Sequence, residues 1–121
     1  MIFSKELSML TIDESREAEL TVLQLTGRLD AVTAPELEQR LATLAGDGCG
    51  KMAVDFGKLE MIVSAGLRVF LAFAKKCRKS GIRLALCRMQ PVVYEVFKIS
   101  GFTEILAIFP TREEAVRSLD S

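Results

Sequence analysis

Ser64 is the residue best placed to do chemistry, because it stands where the apolar strand sequence Val54-Asp55-Phe56 has ended and an amphipathic helix begins. From Leu67 the apolar residues fall at Leu67, Phe70, Leu71, Ala74 and Cys77, the i, i+3, i+4, i+7 spacing of one helical face. A helix with that face must start close to Ser64, and a serine there predicts an N-cap. Free N–H groups and the positive end of the helix dipole gather at that point, so a phosphate carried on the hydroxyl would be tolerated. Plain capping needs the same geometry. Spacing alone leaves both roles open for Ser64.

Other reactive patterns are sparse. The loop Gly46-Asp47-Gly48-Cys49-Gly50-Lys51-Met52 contains a Gly-Lys pair but departs from a phosphate-binding loop, which needs glycine where Ala45 stands and Ser or Thr in place of Met52. It also leads into a strand rather than joining a strand to a helix. The chain has no histidine, and its three cysteines, Cys49, Cys77 and Cys87, lack C-x-x-C spacing. No nucleophile elbow or diagnostic carboxylate pair is present. The expectation is a protein that is not an enzyme, with no catalytic residue, cofactor or metal.

Composition narrows the partners. In 121 residues, half of them hydrophobic, sixteen basic and sixteen acidic side chains cancel to zero formal charge. Nothing in that balance attracts nucleic acid or an anionic membrane. The length suits a single domain over 1–121 with a core that needs no disulfide or metal. Odd, unpatterned cysteines fit a reducing compartment. The start of the chain, with Lys5, Glu6, Asp13 and Glu14 around short apolar stretches, is unlike a signal peptide, and no apolar run approaches bilayer length. A cytoplasmic location is expected.

The elements that must position Ser64 follow from pattern. Met9-Leu10-Thr11-Ile12 and Leu20-Thr21-Val22-Leu23-Gln24-Leu25 read as a strand pair joined by the polar Asp13–Glu17. Thr33 and Glu36 have capping-box spacing, Pro35 suits a first helical turn, and Leu37, Leu41 and Leu44 form that helix's buried stripe. Glycines 46, 48 and 50 return the chain to the strand Met52–Phe56. In the Ser64 helix Val69 and Phe73 lie off the main stripe, either packed on a second helix or forming a partner patch. Lys75, Lys76, Arg78 and Lys79 read as a solvated helix end before Gly81. Ile82–Cys87 is a central strand, Pro91 opens a helix through Val93 and Phe97 to Gly101, and Glu104–Phe109 is a last strand. Thr111 and Glu114 make a second capping box before Ala115, Val116 and Leu119. Alternating strands and helices after residue 27 predict a mainly parallel sheet with the hairpin at one edge.

Three segments in this order and spacing, Leu25-Thr26-Gly27-Arg28-Leu29-Asp30, Val54-Asp55-Phe56 through Ser64-Ala65-Gly66-Leu67, and Gln90-Pro91-Val92-Val93-Tyr94-Glu95-Val96-Phe97-Lys98-Ile99-Ser100-Gly101-Phe102, resemble the anti-sigma-factor antagonist group of the STAS domain family. The resemblance implies an α/β fold, a small mixed, mostly parallel sheet with an N-terminal hairpin, flanked by about four helices. It implies a partner-switching module that binds an anti-sigma factor with serine kinase activity, is released when a serine is phosphorylated, and is restored by a metal-dependent serine phosphatase. Carried onto this chain, the phosphoacceptor is Ser64, and Asp30, Ala65, Gly66 and Arg68 share its partner-binding surface. The family usually has an acidic residue immediately before the serine; Val63 stands there in this chain. That departure keeps a constitutive, unphosphorylated interaction module as an alternative, beside a nucleotide- or small-ligand-binding α/β domain.

Overall fold

The computed structural model describes residues 9–120. In chain order these form β1 (Leu10–Glu17), β2 (Leu20–Leu29), α1 (Ala34–Gly46), β3 (Lys51–Ile62), α2 (Ser64–Ser80), β4 (Arg83–Cys87), α3 (Pro91–Ile99), a 3-10 turn (Phe102–Glu104), β5 (Ile108–Phe109) and α4 (Arg112–Ser118). The sheet order is β1-β2-β3-β4-β5, with β1 antiparallel to β2 and every later pair parallel. The expected mixed sheet and its edge hairpin are therefore present.

Side chains alternate across the strands, so the sheet has two unequal faces. Leu23, Leu25, Val54 and Phe56 join Leu37 and Leu41 of α1, Phe70 of α2 and Phe97 of α3 in the main core. Phe56 sits at its centre, 5.1 Å from the Phe70 ring and 5.8 Å, edge to face, from Phe97. On the opposite face the small residues Ala53, Ala85 and Cys87 let short α4 pack close through Ala115 and Leu119. Val69 and Phe73 are buried in the main core, and α2 packs against α1, which decides their role as helix packing.

Local predictions fare unevenly. The polar stretch expected as a connection is instead the second half of β1, an edge strand whose residues Asp13–Glu17 are all exposed and are held by pairing with β2 rather than by burial. The expected strand Glu104–Phe109 shrinks to Ile108–Phe109, the 3-10 turn having taken its start. Thr111 accepts the Glu114 N–H at 3.1 Å, as a cap should. Thr33 does not cap α1: its backbone is already right-handed and its hydroxyl is used elsewhere. The C-cap of α2 is Gly81, in the left-handed region at φ 75° that glycine occupies without strain.

Candidate functional site

β3 is twelve residues long, and only Lys51–Asp55 pair with β4. Beyond that point β3 continues beside β2 alone, ending in the pair Leu29↔Ile62 after two register shifts. Both strands thus run past β4 and β5, with β1 still paired to β2 as far as Gly27, and release their chains at the same end. β2 leads into the loop of Asp30, and β3 leads into Ser64. The Val63 N–H donates to the Leu29 carbonyl at 3.1 Å and stitches the two exits together.

Ser64 is the first residue of α2 rather than its N-cap. Val63, extended at φ −119°, ψ 178°, holds the cap position and offers no side-chain acceptor. Its carbonyl accepts the N–H groups of Gly66 (2.9 Å) and Leu67 (3.2 Å), which leaves those of Ser64 and Ala65 ahead of the first acceptor. The Ser64 side chain is exposed, and among the described residues its hydroxyl makes no hydrogen bond. A serine at this position does no capping work, and its oxygen is open to solvent.

Gly66 is buried and presents no surface of its own. A Cβ there would lie 2.6 Å from Leu29 Cγ and 2.9 Å from Ile62 Cγ1. Leu29 is fully buried and has no room to move aside. Glycine lets the first turn of α2 press onto the ends of β2 and β3, and that contact fixes where Ser64 emerges. Ala65 is half-buried beside it, and Arg68 is exposed one turn further on.

Asp30 shapes the neighbouring loop through its own side chain. One carboxylate oxygen, Oδ1, accepts the N–H groups of Val32 and Thr33, each at 3.0 Å. The Thr33 hydroxyl accepts the Asp30 N–H (2.9 Å) and donates to the Arg28 carbonyl (2.9 Å), which occupies the group that capping would have needed. The Thr33 N–H does most to hold the Asp30 carboxyl below its ordinary pKa. Desolvation opposes it, and the Thr33 hydroxyl, the Val32 N–H and Arg28 add to the lowering. The loop so fixed carries Val32 outward, 70% exposed. Asp30 therefore lies beside Ser64's end of the sheet, with Oδ1 committed to the loop.

A second cluster is centred on Asp55. Asp55, on the α4 face of β3, is completely buried. Its Oδ1 accepts the Gly57 N–H (2.8 Å); its Oδ2 accepts Arg88 (3.1 Å) and two donors of Arg112 (3.0 and 2.8 Å). Burial works against the charge, but the Gly57 N–H and the two guanidiniums outweigh it and the pKa falls below the ordinary value. Arg88 pays for its position with a left-handed backbone, φ 61°. A lone aspartate inside the apolar run Met52–Phe56 was the available signal, since such a charge is buried only with partners. The partners, 33 and 57 residues away, are not legible from spacing. Burial pushes the thiol of Cys87, paired with Asp55 across β3 and β4, up to about 11, and that of Cys77, on α2 in the main core, likewise to about 11. Among the described residues no group of His, Cys, Asp or Glu is arranged to hold a metal ion, and no helix is long and apolar enough to cross a membrane.

A sequence profile of the STAS domain matches residues 10–115. BtrV of Bordetella bronchiseptica, described as a candidate anti-sigma factor antagonist, is 40% identical over 106 residues, covering 88% of this chain and 90% of that protein. A crystal structure of an anti-sigma factor antagonist from Mycobacterium paratuberculosis superposes with a TM-score of 0.86 at 22% identity, over 93% of this chain and 96% of that one. The Bacillus cell fate determinant SpoIIAA, solved in a phosphorylated form, shares the fold at a TM-score of 0.70 and 21% identity, over 92% of this chain and 99% of that one. The chain belongs to the STAS domain family, among relatives named as anti-sigma factor antagonists.

Proposed function

We propose that this protein is a phosphorylation-switched anti-sigma factor antagonist whose phosphoacceptor is Ser64. Unphosphorylated, it binds an anti-sigma factor with serine kinase activity through the surface around Ser64, Ala65, Arg68 and the Asp30 loop. Phosphorylation of Ser64 dissociates the complex, and a metal-dependent serine phosphatase resets it. The observation that carries this reading is the exposed Ser64 hydroxyl at the first position of an uncapped helix, without a hydrogen-bond partner among the described residues.

A phosphate there adds about 1.5 to 2 negative charges next to the positive end of α2, where it is electrostatically welcome, so the fold is retained. Bulk and charge would stand in a surface that the partner has to desolvate. A penalty of about 3 kcal/mol weakens a complex roughly a hundredfold. The solved phosphorylated form of the SpoIIAA relative supports a fold that accommodates such a modification.

Incubation with the anti-sigma factor kinases of the same genome and ATP should add one phosphate to the wild type and none to Ser64→Ala, read by intact mass. No gain on the wild type with any of them would sink the proposal. Val63, where the family usually has an acidic residue, favours one competing reading, a constitutive interaction module. On that reading Ser64→Glu leaves partner affinity unchanged.

A further inference from the structure

α2 carries five of the chain's sixteen cations and none of its sixteen acids. At 100° per residue, Ser64, Arg68, Lys75, Arg78 and Lys79 fall within about 100° of one another on the helix surface. All five are exposed, and Lys76 lies apart, toward α1. The stripe extends about 22 Å from Ser64 along the helix. Neutralising the end of the α2 dipole does not account for it, because Arg68 and Lys75 lie outside the last turn. Nor does internal pairing: among the described residues the ion pairs use Arg40, Lys51, Arg88 and Arg112, and none uses α2.

We infer that this stripe is an electrostatic docking rail for the anti-sigma factor, which carries a matching acidic face and is guided along α2 onto Ser64. The inference rests on the antagonist function proposed above and adds a second contact surface to it. A protein partner fits better than a nucleic acid or a membrane. The stripe is one helix wide, the chain as a whole is neutral, and no aromatic side chain stands on the rail to stack with bases. Complementary charge outside the desolvated centre acts chiefly on the rate of encounter, and salt screens it over about 8 Å at physiological ionic strength. Once phosphorylated, Ser64 would place its negative charge at the head of the same rail and reverse the local sign the partner approaches.

The test measures association and dissociation rates against the serine-kinase anti-sigma factors of the same genome, at low and high salt. It compares wild type, a triple Lys75→Glu, Arg78→Glu, Lys79→Glu variant, and a milder triple glutamine variant that guards against loss of folding. The expected result is an association rate about tenfold or more lower for the glutamate variant at low salt, intermediate for the glutamine variant, with dissociation little changed and the salt dependence flattened. Unchanged association rates in both variants, with the wild type binding, overturn the rail and leave the antagonist function standing. Failure of the wild type to bind any of these factors removes the antagonist reading and the rail with it. Binding of wild type to duplex DNA or to anionic phosphatidylserine vesicles at about 150 mM salt, abolished in the glutamate variant, would also overturn the assignment to an acidic protein.

Discussion

The two halves of the β2–β3 strand pair do opposite things with an aspartate. In the first half, Asp55 is walled in and joins three separate elements: its own strand, the end of β4 through Arg88, and α4 through Arg112. At the far end, past the point where β4 stops, Asp30 hydrogen-bonds within four residues of itself and ties nothing distant. Among the described residues, no ion pair closes the surface around Ser64. Long-range ion pairs lie where the sheet is fastened, and the end proposed to meet a partner is shaped by short-range hydrogen bonds and a glycine contact. A switch can then act at Ser64 without passing through the elements that hold the sheet together.

The comparison breaks most visibly at Asp55. Asp55→Asn should leave two guanidiniums without their shared anion and cost about 3 kcal/mol in urea unfolding, while the folded fraction keeps its partner affinity. An equal loss of affinity in fully folded variant protein would show that the two halves are coupled. Next in size is Gly66→Val. Its side chain meets buried Leu29, with an expected cost of about 1 to 3 kcal/mol and a weaker partner complex, because the first turn of α2 shifts. Unchanged melting together with unchanged affinity would contradict that packing account.

A smaller effect is expected at Asp30, where Asn keeps the Oδ1-type acceptor that Ala removes. Asp30→Ala should lose about 1 kcal/mol and blur the Val32 loop, and Asp30→Asn should lose less. If Asn is as damaging to partner binding as Ala, the charge itself touches the partner. Acid provides a milder probe. Both aspartates have folded pKa values below the ordinary one, so their stabilisation is present above the unfolded value of about 3.9 and is lost as pH falls through the folded values. The urea midpoint should decline below about pH 4, and Asp55→Asn should flatten the decline; identical acid profiles would remove Asp55 from the account.

Much of this architecture could be read from the chain. Apolar alternation located β2, a short apolar run located the first half of β3, and the 3.6-residue stripe located α2, because each pattern reports burial directly. What escaped depends on tertiary context. Thr33-x-x-Glu36 and Thr111-x-x-Glu114 are the same motif, yet only Thr111 caps, since Thr33 is claimed by the Arg28 carbonyl and the Asp30 N–H. Ser64 lay one position further into its helix than capping preference suggested, because Val63 is held extended by the Leu29 carbonyl. The Arg88 and Arg112 partners of Asp55 come together only when β4 and α4 are placed on the sheet. For the candidate site, spacing marked Ser64, but only packing showed that Gly66 works from below and Asp30 from within its own loop.

The central claim is that one exposed hydroxyl switches a protein contact without disturbing the fold. Its most direct test is the affinity of the cognate anti-sigma factor for Ser64-phosphorylated and unmodified protein, measured by calorimetry alongside the melting temperature of each form. The account predicts binding about a hundredfold weaker after phosphorylation, with melting shifted by no more than a few degrees. Equal affinity of the two forms would contradict it.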